Sequence, residues 1–217
     1  MCIRDRLKIP GKKFGVPVAM SVKDIGEVIK RFIFVAKVAR ESGFTGIQIH
    51  SAHGYLLSEF LSPDINKRTD EWGGSLENRT RIHVEIIKGI RKALGNDFPI
   101  SLKLNSADFQ KGGFSPADAL ESARIMESAG IDLLEISGGT YEQPRLLGLD
   151  NLSINPERSE NRKSSSIARE AYFLDYAENI KKSISIPTMV TGGFRTKDAM
   201  ESSIKSNACL LYTSDAA

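Results

Sequence analysis

The strongest constraint in this chain is a short strand pattern that recurs and ends the same way each time. GIQIH at 46–50, PISLKLN at 99–105 and IDLLEIS at 131–137 alternate in polarity along their length. Side chains alternate between the two faces of a strand. Ile47 and Ile49 therefore share one face, and Gln48 and His50 the other. Leu102 and Leu104 oppose Ser101, Lys103 and Asn105, while Leu134 and Ile136 oppose Glu135 and Ser137. Each strand has an apolar face fit to lie under helices. Each also has a polar face whose polar groups gather toward the C-terminal end. IPTMV at 186–190 is a fourth strand.

Helical spacing fills the gaps. Residues 24–42 carry Ile25, Val28, Ile29, Phe32, Val35, Ala36 and Ala39, and Gly43 stops the run. Ser75 can cap a helix whose row Ile82, Ile86, Ile90, Leu94 ends at Gly95. Ser115 and Pro116 suit the N-cap and first helical position of a helix ending at Gly130. Ile167, Ala171, Leu174, Ala177, Ile180 and Ile184 mark another helix, and Thr196 opens a last one. Repeated strand–helix units imply parallel strands with crossover helices. A doubly wound sheet buries both faces and shows continuous apolar runs. A barrel turns one face inward and keeps its chemistry at the C-terminal strand ends. The pattern favours the barrel: an α/β fold, a partial (β/α)8 TIM barrel holding about strands 4 to 7. A full barrel has eight strands in about 250 residues, so strands are expected to be missing from these 217 residues.

Composition narrows the function classes. The formal net charge is +3, and no segment concentrates Lys and Arg, which argues against a nucleic-acid partner. No apolar run approaches the ~20 residues of a membrane span, and the first residues lack the apolar core of a signal peptide. A soluble, cytoplasmic protein acting on a small molecule, with no membrane partner, is the expectation. Cys2 and Cys209 lie at opposite ends without a CxxC pair, so neither a metal motif nor a disulfide framework is expected. MCIRDR at 1–6 and CLLYTSDAA at 209–217 do not continue their neighbours' patterns. They read as foreign-looking tails around a domain spanning 7–208.

The densest segment is HSAHGYLLSEFLSPDINKRTDEWGGSLENRTR at 50–81. His50 ends the first strand on its polar face, and His53 and Tyr55 follow in the loop. Two imidazoles and a phenol can converge there, where a barrel keeps its chemistry. A satisfied loop pair and half of a metal site are the alternatives. The metal reading lacks an evident third ligand other than Glu135.

This segment, with KLNSADF, EISGGTYE and MVTGGFR further on, resembles the old yellow enzyme family of NAD(P)H:flavin oxidoreductases over roughly residues 15–207. The resemblance implies FMN bound non-covalently over the barrel mouth, with NADH or NADPH as reductant. It implies hydride transfer from flavin N5 to the β-carbon of an alkene conjugated to a carbonyl or nitro group. His50 and His53 match the donor pair for that oxygen, where charge develops. Tyr55 matches the proton donor to the α-carbon. Lys103 matches the cation beside flavin N1 and O2, often Arg in the family; lysine is a point charge rather than a planar fork. Gly192 and Gly193 match the phosphate loop, where backbone N–H groups beside a helix N-terminus suit an anion, with Arg195 assisting.

Further readings come from the residues themselves as well as from the match. Tyr141 would approach substrate or flavin. Arg68, Asp70, Trp72, Gly73, Gly74, Asn78 and Arg79 would shape the long loop through turns and charge pairs, His83 would be structural, and 142–165 would form a long loop. The family's first three strands would lie before residue 15 and its eighth after the match ends. The chain alone is therefore expected to hold FMN poorly and to be inactive. A homo-oligomeric parent and an added iron–sulfur segment stay open. The competing readings are another flavin- or phosphate-binding barrel, an aldolase using Lys103, and a metal-binding or structural half-barrel.

Overall fold

Alternating polarity produces the sheet that the sequence implies. The computed structural model describes residues 18–140, 173–194, 196–207, 209 and 211–213. Strands β1 (Ile47–Ser51), β2 (Ile100–Asn105), β3 (Leu133–Ser137), β4 (Thr188–Thr191) and β5 (Leu211–Thr213) pair in chain order, every neighbour parallel. Parallel neighbours need a crossover connection. Helices α1 (Val22–Glu41), α2 (Leu56–Leu61), α3 (Leu76–Leu94), α4 (Pro116–Ala129), α5 (Leu174–Lys181) and α6 (Lys197–Lys205) lie along the same chain path. The result is part of a (β/α)8 barrel.

Register carries the argument from fold to site. His50 stands opposite Lys103, Lys103 opposite Glu135, and Glu135 opposite Met189. The polar faces of β1, β2 and β3 thus continue one another, and the row ends against Met189 of β4. On the other face, Ile49, Leu102 and Leu134 form a buried rung against the helices. The α3 row Ile82, Ile86, Ile90 and Leu94 is buried against that layer. Caps fix the helix starts. Ser75 Oγ accepts from Asn78 N, Ser115 Oγ from Asp118 N, and Thr196 Oγ1 from Ala199 N. Gly130 closes α4 at φ 111°, a left-handed conformation that glycine adopts without penalty.

Several expectations need correction. A fifth strand, β5, lies inside 209–217, the stretch that reads in sequence as a foreign-looking tail. Three residues are too few to show alternation. Helix α2 falls inside what read as continuous loop; its one and a half turns are too short for a helical period to register. Ile184 is buried but lies beyond the C-cap of α5 at Lys182, so it packs from the connecting turn rather than from a helix. Ile167 and Ala171 lie outside the described residues, as do Cys2, Tyr141, Arg195 and the 142–165 stretch. Val35 does not join the core. It is 62% exposed beside Phe34 and Val38, on an apolar strip of α1 turned away from the sheet.

Candidate active site

The C-terminal end of β1 sets the first group. His50 is the fourth residue of β1 and faces the polar side of the sheet. The chain then turns sharply at His53, whose φ of 63° is left-handed, and at Gly54 with φ 78°. A non-glycine residue in that region costs about 1–3 kcal/mol and persists where its surroundings over-determine it. Here they do. The His53 N–H donates to Asn105 Oδ1 at 3.1 Å, and His53 forms an isolated parallel bridge with Thr140. Asn105 is itself fixed, its Nδ2 donating to Asp108 Oδ1 and to the Gly139 carbonyl, both at 3.0 Å. Asp108 Oδ2 in turn accepts the Phe114 N–H at 3.0 Å.

That turn brings the three predicted rings together. The His50 and His53 ring centroids are 5.3 Å apart, edge to face, and those of His50 and Tyr55 are 5.0 Å apart. Tyr55 is 45% exposed, so its phenol opens toward solvent. Burial, then the Lys103 cation, holds the His50 imidazole below its usual pKa, with Glu135 opposing. Burial, then His50 and Lys103, pushes His53 down to about 4, again against Glu135. Both rings are therefore neutral near pH 7. A neutral imidazole has one N–H, so its tautomer decides where it can donate. His53 Nε2 lies 2.7 Å from Ser137 Oγ. A Ser137 hydroxyl donating to Nε2 leaves the proton on Nδ1.

Lys103 belongs to the same rung. Its Nζ is 2.9 Å from Glu135 Oε1, with the carboxylate 3% exposed. Gln48 Nε2 donates to Glu135 Oε2 at 2.6 Å, and Thr191 Oγ1 donates to Glu135 Oε1. Three strands thus supply donors to one buried carboxylate. At the end of β4, Gly192 and Gly193 have φ of 98° and 77° and stand shortly before the capped start of α6. Two successive positive-φ residues keep a side chain off the backbone at that approach. Among the described residues, no group of three His, Cys, Asp or Glu is placed to hold a metal ion. The lysine nitrogen that an aldolase would need is tied to Glu135 rather than open to a carbonyl carbon.

The loop residues behave as charge and turn pairs. Arg68 pairs with Asp70, whose Oδ1 also accepts the Trp72 N–H at 3.1 Å. A Cβ on Gly73 would sit 2.5 Å from Arg68 atoms, so only glycine fits there. Asn78 Nδ2 donates to the Gly73 carbonyl at 3.1 Å. Arg79 donates to the carbonyls of Leu61 and Gly74 and pairs with Asp118. His83 is fully buried on α3, with Nε2 2.7 Å from Ser51 Oγ. Sequence reasoning weighed Glu135 only as a third metal ligand and gave Ser137 no role. The signal for both was present, since they occupy the polar face of IDLLEIS in register with Lys103 and Asn105.

The chain is a parallel α/β-barrel segment with hydrogen-bond donors and a paired cation at its strand ends. The chain belongs to the NADH:flavin oxidoreductase / NADH oxidase family, whose model matches residues 4–213. These are oxidoreductases that bind FMN and take NADH or NADPH as reductant. The chain is 38% identical over 197 residues to the NADH-dependent flavin oxidoreductase iccE of Talaromyces variabilis, covering 90% of this chain and 46% of that protein. It is 36% identical to the NADH oxidase of Thermoanaerobacter brockii, covering 85% of this chain and 26% of that protein. Among solved structures it is similar to a 2-naphthoyl-CoA reductase complex. The TM-score is 0.81 at 32% identity, covering 97% of this chain and 30% of the other. Morphinone reductase in complex with tetrahydroNAD shares the fold, with TM-score 0.68 at 19% identity over 94% of this chain and 48% of the other. The chain thus spans between about a quarter and a half of the curated relatives it matches. No helix among the described residues is long and apolar enough to cross a membrane.

Proposed function

We propose that the protein to which this chain belongs is an FMN-dependent NAD(P)H oxidoreductase of the ene-reductase type, acting on an alkene conjugated to a carbonyl or nitro group. The observation that carries this is the gathering of His50, His53 and Tyr55 at the end of β1, where His50 stands opposite Lys103. The residues present fit FMN. Lys103 and Gln48 offer cationic and amide donors on the inward face, and Gly192–Gly193 offer open backbone at a helix start for the phosphate. FMN, when bound, supplies the hydride delivered to the β-carbon.

The chain's own residues do the rest. His50 and the Nδ1 of His53 donate hydrogen bonds to the substrate oxygen, where negative charge grows as the alkene is reduced. Preorganised donors are strongest at such a developing charge. Because both rings are neutral, they polarise the oxygen without surrendering a proton to it. Tyr55, exposed beside His50, holds the proton that goes to the α-carbon. The chain alone is expected to bind FMN weakly, because it spans only about a quarter to a half of the relatives it matches; tight stoichiometric FMN uptake by the isolated chain would contradict this.

The test is NADPH oxidation driven by cyclohexenone in the full-length enzyme. Tyr55→Phe should lower turnover by about 10²–10⁴-fold, the usual worth of a positioned acid. His50→Ala should lower it by about 10²–10³-fold, as for a lost oxyanion donor. Unchanged turnover in both variants would overturn the assignment.

A further inference from the structure

We propose that Glu135 is a positioning residue that sets the reduction potential of the bound flavin by holding Lys103 and cancelling much of its charge. This rests on the reading that Lys103 faces FMN.

The geometry is a convergence of three strands on one carboxylate. Lys103 from β2 and Thr191 from β4 reach Oε1, and Gln48 from β1 reaches Oε2. With its side chain 3% exposed, Glu135 has no water-facing alternative. Breaking a buried pair by removing one partner leaves an uncompensated charge, so neither partner swings away cheaply. The pair also reaches beyond itself. At both His50 and His53, Lys103 pulls the imidazole pKa down and Glu135 pulls it up. The two charges are thus felt with opposite sign at the very groups around the mouth.

Reducing FMN places negative charge on its ring. A lone cation beside the ring favours the reduced form over the oxidised one. A cation paired at 2.9 Å with a buried carboxylate presents a dipole in place of a net charge, and that preference shrinks. On this account the enzyme keeps a lysine for placement and hydrogen bonding while a glutamate moderates its electrostatic pull.

The test is redox titration of FMN in the full-length enzyme, with FMN affinity measured alongside. Glu135→Gln keeps the planar group, and the Gln48 amide can turn to present its carbonyl to the new N–H. Lys103 then stands unopposed. Reduced FMN should gain about tenfold over oxidised FMN, which is a rise of about 30 mV for a two-electron couple. Lys103→Met should shift the potential downward, and the double variant should return near wild type, because the cycle isolates the pair. A shifted Lys103→Met with an unshifted or lowered Glu135→Gln overturns the proposal alone. An unshifted Lys103→Met overturns the placement of Lys103 beside the flavin, and the proposal with it. Should Glu135→Gln fail to fold, Lys103→Met carries the test. Its potential should lie below that of the Lys103→Met/Glu135→Gln double variant, and equal potentials in the two overturn the proposal.

Discussion

Arg79 and Lys103 are both largely covered cations, yet their surroundings differ in kind. Arg79, 6% exposed, gives its guanidinium to two backbone carbonyls and one carboxylate, at the end of α2, in the α2–α3 loop and at the start of α4. Its fork geometry is used up on the fold. Lys103 meets one carboxylate and keeps a 20% exposed side chain at the barrel mouth. One region closes its hydrogen-bonding capacity; the other keeps a paired cation partly accessible at the strand ends. A buried charge by itself is therefore a poor marker of chemistry. A cation left partly accessible at the strand ends is a better one.

The comparison breaks if Arg79 matters little to stability. Arg79→Ala should destabilise the full-length enzyme by about 3 kcal/mol, since it strips the Leu61 and Gly74 carbonyls and leaves Asp118 without its cation. Activity below the new melting point should survive. A loss under about 1 kcal/mol by urea denaturation would end the idea that this loop is closed by that side chain.

A pH titration of stability sharpens the contrast at the mouth. His53 is held at about 4 in the folded protein, against about 6.5 when unfolded. Between those values the unfolded chain binds more protons, so stability rises with pH through that window and is flat for this group above it. Acidification from pH 6.5 to 4 should cost roughly 3 kcal/mol from His53. Fully buried His83, pushed down to about 3 by desolvation, adds loss of the same sign. Midpoints of denaturation at pH 7, 5.5 and 4 check this, with His53→Asn flattening part of the slope. A slope unchanged by that substitution would remove His53 from the account.

The smallest effect belongs to Ser137. Ser137→Ala removes the partner of His53 Nε2 and should cost about 1 kcal/mol, the net worth of a hydrogen bond. It should also mix the His53 tautomers, visible in ¹⁵N shifts of the ring, and weaken enone reduction several-fold. An unaltered tautomer would show that Ser137 does not orient the ring.

Much of this was legible in sequence, for reasons that differ by residue. Strands β1, β2 and β3 announced themselves because an inward polar face and an outward apolar face alternate over five or six residues. The start of α4 was readable from Ser115 and Pro116, whose cap chemistry is local. His50, His53 and Tyr55 are close in sequence, so one turn suffices to gather them. What sequence hid is long-range. Gln48, Lys103, Glu135 and Thr191 meet through register across four strands, and nothing local in any one strand states that alignment. Helix α2 and strand β5 were hidden by brevity, and the outward turn of Val35 by the absence of any local cue to which flank of α1 is covered.

The unbroken register also limits how such a chain can change by insertion and deletion. Losing one residue from Ile100–Asn105 would carry Leu102 or Leu104 to the place of Lys103 and push the lysine among the helices. Chain length in the strands is therefore a parity that must be conserved. The turns after the strands carry no such parity, although the step through His53 and Gly54 is fixed by Asn105 and Thr140. A library that varies loop lengths outside the His53–Tyr55 turn, and strand lengths not at all, keeps the rung on which the site depends.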